Sequence, residues 1–227
     1  MPARSVKPKR NAVDTRERIL QVAIDEFADK GLDGSRVDEI ARAGSVSKNM
    51  LYHYFGSKDG LFLAVLERTY ENMRRRQDEL VLDGLSPQKA MEKLITITFN
   101  YFVATPEVIS LLNTENLHRA RHISHSSRIR TMYAPLVKTI DTILRQGQRD
   151  GVFRKGIDPI ELYISISGLG YFYLSNRWTL SAIFGTPLEG KRRLEERCAH
   201  VIDVIMSYVC GKPYGAAAAA KRTGARR

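Results

Sequence analysis

Two short helical patterns, separated by Gly44-Ser45, lie in the segment Ser35-Arg-Val-Asp-Glu-Ile-Ala-Arg-Ala-Gly-Ser-Val-Ser-Lys-Asn-Met-Leu-Tyr-His-Tyr-Phe55. Ser35, with Asp38 three residues later, resembles a capping box that opens the first helix. Ser47 opens the second, which we expect to run over residues 48–55. Two helices joined by so tight a turn are typical of the helix-turn-helix motif.

The second of these helices carries different chemistry on its two faces. By helical spacing the inward face holds Val46, Leu51 and Phe55, and the outward face holds Lys48, Asn49, Tyr52 and His53. Lysine and tyrosine side chains reach DNA phosphates, whereas asparagine and histidine can hydrogen-bond base edges. A three-helix bundle with a mixed polar face would show the same periodicity, so the residues alone leave both interpretations open.

Helices are predicted on either side of this pair. Asp14 or Thr15 can cap a preceding helix, which Gly31 and Gly34 would end. After a break at Gly56, Ser57 caps a long fourth helix. Its first residue, Lys58, lies beside free backbone N–H groups and forms a candidate phosphate site.

The remainder of the chain also has helical periodicity. We expect helices at about 87–104, 106–119, 127–150, 158–175 and 189–210. Few stretches alternate between apolar and polar residues with a period of two, so a β-sheet is not expected. The predicted fold class is all-α.

The charge of the chain is concentrated at its ends. The 227 residues carry a formal net charge of +11, of which residues 1–10 contribute +4 and residues 211–227 contribute +5, leaving +2 for the rest. Such tails attract polyanions or are simply solvated. Two cysteines indicate a reducing compartment, most simply the cytoplasm. The most apolar stretch, 162–174, is too short to span a bilayer, so no membrane partner is expected.

Other motifs carry weaker signals. The spacing of Glu115, His118, His122 and His125 resembles that of metal ligands. Serines at 124, 126 and 127 indicate that the helix ends there, and four nearby arginines would repel a cation, so no metal site is predicted. Gly168-Leu-Gly170 lacks the strand and third glycine of a dinucleotide site, and more plausibly allows close helix packing. No catalytic motif occurs, so neither enzymatic activity nor a cofactor is expected.

Two apolar features of the C-terminal helices have both a core and a functional interpretation. Aromatic residues are dense there, and some could line an effector cavity rather than the core; the candidates are Phe99, Phe102, Tyr133, Tyr171 and Trp178. The last helix carries a broad apolar stripe, which could pack on its own domain or on a second copy; it comprises Leu194, Cys198, Val201, Ile202, Ile205, Met206 and Val209.

Several separate segments closely resemble the TetR/AcrR family of bacterial transcriptional regulators. They are Thr15-Arg-Glu-Arg-Ile-Leu-Gln-Val-Ala-Ile-Asp-Glu-Phe-Ala-Asp-Lys-Gly31, Val37-Asp-Glu-Ile-Ala41 and Val46-Ser-Lys-Asn-Met-Leu-Tyr-His-Tyr-Phe-Gly-Ser-Lys-Asp-Gly-Leu61. The C-terminal segments Asp150-Gly-Val-Phe-Arg154 and Tyr171-Phe-Tyr-Leu-Ser-Asn-Arg177 are also similar to this family.

The resemblance implies a homodimer, a palindromic double-stranded DNA operator with two half-sites, and a C-terminal helical domain that binds a small-molecule inducer. The density of aromatic residues in the C-terminal helices further predicts that this effector is largely apolar and that it releases the protein from the operator. We therefore expect a cytoplasmic transcription regulator, most simply a repressor. An activator on the same fold is the first alternative, and a helical enzyme or metal-binding protein is the second. DNA-binding residues on this interpretation are Arg36, Ser47, Lys48, Asn49, Tyr52, His53 and Lys58. The resemblance also implies that the apolar stripe of the last helix forms the dimer interface, together with the 158–175 helix in a four-helix interface.

Two positions depart from the family pattern. The family commonly has Ala-Gly where this chain has Gly44-Ser45, so either Ser45 adopts the left-handed conformation of the turn or the turn shifts to Gly44. Arg36 replaces a usual Thr or Ser, and it either contacts a phosphate or is solvated while Ser35 caps the helix.

The predicted organisation has four parts. Residues 1–13 form a basic flexible arm, 14–60 a helix-turn-helix domain, 61–212 a helical ligand-binding and dimerisation domain, and 213–227 a disordered Ala-rich basic tail. The long fourth helix would join the second and third parts.

Overall fold

The computed structural model describes residues 8–78, 82 and 84–211. All regular structure within these residues is helical, which confirms the predicted all-α class. The helices are α1 (Pro8–Gly34), α2 (Val37–Ala43), α3 (Lys48–Phe55), α4 (Lys58–Asp78), α5 (Pro87–Ala104), α6 (Pro106–Leu117), α7 (Ser127–Arg149), α8 (Pro159–Ser175), α9 (Arg177–Phe184) and α10 (Lys191–Cys210), with a 3-10 turn at Ile123–His125.

The beginnings of α1 and α2 differ from the prediction. Helix α1 begins at Pro8, so neither Asp14 nor Thr15 caps it, and residues 8–13 of the predicted arm are helical. The Ser35 hydroxyl donates to the carbonyl of Leu32 (2.9 Å) instead of capping α2. Arg36 occupies the N-cap position of α2 without a side-chain hydrogen bond, so the predicted capping box is wrong. Residues 1–7 and the predicted tail at 213–227 lie outside the described residues.

Helix α9 is absent from the sequence prediction. Its eight residues begin two positions after the predicted end of the preceding helix at 175, and Gly185 ends the helix in a left-handed conformation (φ 61°). By contrast, the predicted cap of α4 is confirmed, because the Ser57 hydroxyl accepts a hydrogen bond from the backbone N–H of Gly60 (2.9 Å). Local chemistry identified the cap, whereas a short helix between two breaks left no periodic signal.

One compact unit comprises the described residues up to Arg74 together with Thr105–Met132. Helix α1 packs along α6, and the rings of Phe27 and Phe62 meet edge to face with their centroids 5.1 Å apart. Leu111 of α6 is fully buried in this core. The unit therefore includes α6, which the predicted boundary at residues 60–61 assigns to the regulatory domain. Sequence periodicity does not reveal this contact because α1 and α6 lie far apart along the chain.

A second compact unit comprises the described residues from Arg75 to Ala104 and from Tyr133 onward. Its described core is built from α5, α7, α8 and α10. A Cβ on Gly147 would lie 2.0 Å from the Phe153 ring, and one on Gly170 would lie 3.2 Å from Phe99. Gly170 thus allows close packing, as predicted, whereas a Cβ on Gly168 would meet no atom within 4 Å.

Among the described residues, no single helix has both the length and the apolar composition needed to cross a membrane. The consecutive helices α5 and α6 together reach that length and composition, and the chain bends by 86° between them.

Candidate nucleic-acid interface

The turn between α2 and α3 is fixed by backbone hydrogen bonds. The N–H of Gly44 donates to the carbonyl of Ile40 (2.8 Å), and that of Val46 donates to the carbonyl of Ala41 (3.0 Å). Ser45 takes the left-handed conformation (φ 52°), which decides between the two alternatives for this turn. The Arg18 guanidinium donates to the carbonyl of Gly44 (2.9 Å) and ties α1 to the turn.

Helix α3 presents the predicted polar face to solvent. Ser47 caps the helix, its hydroxyl accepting from the backbone N–H of Met50 (3.1 Å), while Leu51 is fully buried. Val46 and Phe55 are half-buried, and the Arg16 guanidinium lies over the Phe55 ring at 5.2 Å. The outward residues Lys48, Asn49, Tyr52 and His53 are all exposed. The structure therefore confirms both faces of α3.

Lys48 is linked across the turn to α2. Its ammonium lies 3.0 Å from the carboxylate of Asp38, and this hydrogen bond raises the pKa of Lys48. Both side chains are exposed, so the pair adds little stability. It does place the Lys48 charge at the first turn of α3, beside the exposed Asn49.

Met50 is an exposed residue of α3 that the sequence reasoning missed. It is 43% exposed and lies among the outward polar residues. Methionine is more often a core residue, which is why its type gave no signal. Its position next to Asn49 is the signal that could have identified it as a candidate DNA-contacting residue, since an apolar side chain in the major groove can contact a thymine methyl group.

Lys58 and Arg36 lie in the turns that flank this helix pair. The Lys58 ammonium donates to the carbonyl of Ser35 (2.7 Å) and, at 3.5 Å, to that of Asp33. Lys58 is half-buried, so in this structure it links α4 to the α1–α2 turn. Arg36 is exposed. Its phosphate contact and that of Lys58 stay predictions.

The candidate metal ligands do not assemble into a site. Glu115 and His122 are buried and hydrogen-bonded to each other, whereas His125 is exposed. Helix α6 ends at Leu117, before the predicted 119, so the four residues do not share one helical face. Among the described residues no cluster of His, Cys, Asp or Glu could hold a metal ion.

The five aromatic residues proposed to line an effector cavity have different surroundings in the structure. Phe99 and Phe102 are buried in the core, and the Phe102 and Tyr171 rings pack edge to face at 6.0 Å. Tyr133 packs on Tyr163, while Trp178 is 60% exposed on α9. Their role as effector-lining residues stays a prediction, because ring packing and exposure do not show whether a ligand contacts them.

Two other cavities lie within the second compact unit. One of about 700 Å³ lies between α5 and α10 and is lined by Thr96, Asn100, Val103, Lys191, Leu194, Glu195, Cys198, Ala199 and Ile202. Another of about 510 Å³ is lined mainly by residues of α5 and α7. Neither includes any of the five predicted aromatic residues.

The apolar stripe of α10 faces largely inward. Val201, Ile205 and Val209 are buried in the core of their own unit, and the other four residues (Leu194, Cys198, Ile202 and Met206) pack partly against it. The role of this stripe as the dimer interface stays a prediction, to which its centre can contribute little because α5 and α8 already cover it. The exposed apolar residues of α8 and α10 are instead Ile160, Ile164, Phe172, Val204 and Tyr208.

The geometry of α1–α3 defines a class of protein. A rigid turn holds α3 against α2 and leaves a row of hydrogen-bonding side chains exposed, which is the arrangement of a helix-turn-helix DNA-binding protein.

Sequence comparison assigns the family. Residues 19–65 match the family described as "Bacterial regulatory proteins, tetR family", and residues 87–205 match "Tetracyclin repressor-like, C-terminal domain". The chain belongs to the tetR family and is a DNA-binding transcriptional regulator.

Individual relatives agree with this assignment over most of their length. The chain is 34% identical over 192 residues to the HTH-type transcriptional repressor NicS of Pseudomonas putida, covering 85% of this chain and 91% of NicS. It is 27% identical over 145 residues to the repressor KstR2 of Rhodococcus jostii, covering 63% and 70% of the two chains. The crystal structure of the putative transcriptional regulator SCO4942 from Streptomyces coelicolor superposes with a TM-score of 0.65 at 25% identity, covering 86% of this chain and 98% of that one.

Proposed function

We propose that the protein is a cytoplasmic homodimeric repressor that leaves a palindromic operator when a small, largely apolar effector binds. The observation that carries this proposal is the exposed row on α3, in which Asn49 and His53 lie one helical turn apart. Their side chains can hydrogen-bond base edges, while Lys48 and Tyr52 beside them reach phosphates. The near-full-length similarity to NicS, which is named a repressor, supports the direction of regulation.

A second copy of the chain would pack on the exposed apolar face of α8 and α10. A groove of about 430 Å³ runs along this face, lined by Ser165, Gly168, Leu169, Val204, Ile205 and Tyr208. The space around Gly168 would allow a partner helix to approach closely. Exposed apolar patches of this kind mark association sites in soluble proteins. A twofold dimer then sets two α3 helices in successive major grooves of a palindrome.

The effector would bind in the cavity between α5 and α10. Its volume of about 700 Å³ suits a small organic molecule. Val103, Leu194 and Ile202 supply apolar lining, and Asn100 and Lys191 supply polar groups that would orient a neutral or weakly anionic ligand. Lowering of operator affinity requires that the effector bind the DNA-free state more tightly than the DNA-bound one.

The test is selection of bound sequences from random DNA with the purified full chain. We expect a palindrome whose half-site centres lie one DNA turn, or a multiple of it, apart. Small apolar compounds that raise the melting temperature of the protein are then added to the protein–operator complex. Release of DNA by such compounds supports the repressor mechanism. Absence of any enriched sequence would overturn the proposal, and tighter DNA binding with effector would indicate that the effector acts as a co-repressor.

A further inference from the structure

The connection between α6 and α7 is strongly basic. The connection itself, residues 118–126, contains Arg119 and Arg121 and no acidic residue, and Arg128 and Arg130 follow in the first turn of α7. Over the whole chain acids occur about once in nine residues, since there are 25 in 227. The 118–122 segment, here called the basic turn, holds the first two of these arginines.

The basic turn has an unusual backbone that is held from inside. Arg119 and Ala120 are consecutive left-handed residues (φ 57° and 60°), a conformation that is disfavoured for side chains with a Cβ. The buried carboxylate of Glu115 accepts the backbone N–H groups of His122 (2.8 Å) and Ile123 (2.9 Å) and contacts His122 Nδ1 at 2.6 Å. Strain that is maintained by a buried network is a reason to look for a function in the turn.

The basic turn borders the start of α4. Arg121 donates to the carboxylate of Asp59 at 3.0 Å, and His118 Nε2 lies 3.7 Å from that of Asp33. Lys58, the residue before Asp59, donates to the carbonyl of Asp33 at 3.5 Å. All of these residues belong to the first compact unit. The turn is therefore placed beside the residue proposed to contact an operator phosphate.

The side chains of the two arginines lie outside the buried network that holds the basic turn. Glu115 and His122 supply the buried contacts, whereas Arg119 and Arg121 are exposed. Within the described part of the chain Arg119 forms no ion pair, and Arg121 pairs only with the exposed Asp59. Arg128 differs, because Glu67 and Glu71 of α4 hold its guanidinium.

We infer that Arg119 and Arg121 form a second phosphate-contacting element, which binds the operator backbone beside the helix-turn-helix. This inference rests on the proposed operator binding and extends it to residues beyond α1–α4. A guanidinium suits such contacts because it stays charged and presents several N–H donors. The contacts are to phosphates, so they add affinity for every sequence without changing which bases are preferred.

The experiment compares two double variants of the full chain that remove the same charge. Arg119→Gln/Arg121→Gln alters the basic turn. Arg145→Gln/Arg192→Gln alters exposed arginines of the second unit, which pair with Asp141 and Glu196 on their own helices. Operator affinity is measured at several salt concentrations, and melting temperatures confirm folding. We expect the first variant to bind at least about tenfold more weakly at roughly 0.1 M salt, with a log–log salt slope lower by about 0.9 for each phosphate that is no longer neutralised. The second should match the wild type.

Two further variants separate direct contact from indirect effects. Arg119→Lys/Arg121→Lys keeps both charges and should retain most of the salt slope. If Arg121 only neutralises Asp59, Asp59→Asn would restore the affinity of Arg121→Gln, which would overturn the direct contact of Arg121. Wild-type affinity and slope in Arg119→Gln/Arg121→Gln, or an altered base preference, would overturn the inference while operator binding stands. Failure of the wild type to select any sequence would instead remove the proposed function.

Discussion

The ammonium of Lys58 and the carbonyl oxygen of Ser35 are joined by a 2.7 Å hydrogen bond. This bond links the first residue of α4 to the residue that precedes the N-cap of α2. An ammonium has three N–H donors, so Lys58 can keep this bond and still contact a phosphate. Lys58 therefore affects both the orientation of the helix-turn-helix and the affinity for DNA. A single substitution of Lys58 would change both at once, so each must be measured separately.

Lys58→Ala should weaken binding to all DNA sequences to a similar degree. A dimer would neutralise two fewer phosphates, one for each subunit, so the salt slope should fall by about 2. The Ser35 carbonyl is also left without this partner, and the free energy of unfolding should fall by about 1 kcal/mol. Lys58→Arg keeps the charge and serves as the control. Salt titrations of operator binding and urea unfolding measure the two effects, and an unchanged slope would place Lys58 off the DNA.

Asn49→Ala and His53→Ala should change base preference rather than general affinity. Each would remove hydrogen bonds to one base pair, which costs about 1–3 kcal/mol at that position and little elsewhere. Affinities for a set of operators with single base-pair changes give the measurement. Lys48→Ala is the matched control on the same face, with a uniform loss of affinity expected. If all three variants lower affinity equally for every operator, α3 does not read bases through Asn49 and His53.

Ser45→Gly should stabilise the protein. Ser45 is left-handed, and glycine adopts this conformation without a Cβ clash. We expect a gain of roughly 1 kcal/mol in the free energy of unfolding, with unchanged operator affinity. In contrast Gly44→Ser should destabilise it, because a Cβ there would lie 3.1 Å from the Ile40 carbonyl oxygen. Equal effects of the two changes would contradict the assignment of the turn.

The sequence predicts the exposed face of α3 better than it predicts how the helices of the second unit pack on one another. Ser47, Leu51 and the outward residues of α3 follow from local spacing and capping, which a sequence displays directly. The burial of Val201, Ile205 and Val209 does not, since an apolar stripe is the same whether its own domain or a second copy covers it. The packing partners of the aromatic residues are hidden for a related reason: the residue type gives apolar character but not the helix that each ring will face.

Neighbouring residues of α10 allow the proposed dimer surface to be tested. Val204 is 37% exposed on the surface proposed to meet the partner, whereas Ile205 is 2% exposed in the core. Val204→Asp should give a folded monomer, because an unpaired charge cannot be buried in an apolar interface. Ile205→Asp should unfold the unit. Sedimentation and circular dichroism distinguish the two outcomes, and a Val204→Asp protein that remains dimeric would place the interface elsewhere.

Ala199→Trp should abolish the response to effector without affecting operator binding. Ala199 lines the cavity between α5 and α10 and is exposed, so an indole can occupy that space without disturbing the core. Compounds that stabilise the wild type should then no longer raise the melting temperature or release DNA.

Cys198 gives an independent measurement at the same cavity. Burial raises the pKa of its thiol, so the reactive thiolate is scarce at neutral pH and alkylation should become fast only in alkaline solution. Because the pKa of the thiol is higher in the folded state, the free energy of unfolding should fall as the pH rises above the pKa of the unfolded state, which is about 8.5.

A bound effector should slow alkylation of Cys198 but not of the exposed Cys210, which lies outside the cavity. If effectors release DNA from Ala199→Trp and leave Cys198 alkylation unchanged, they bind somewhere other than this cavity.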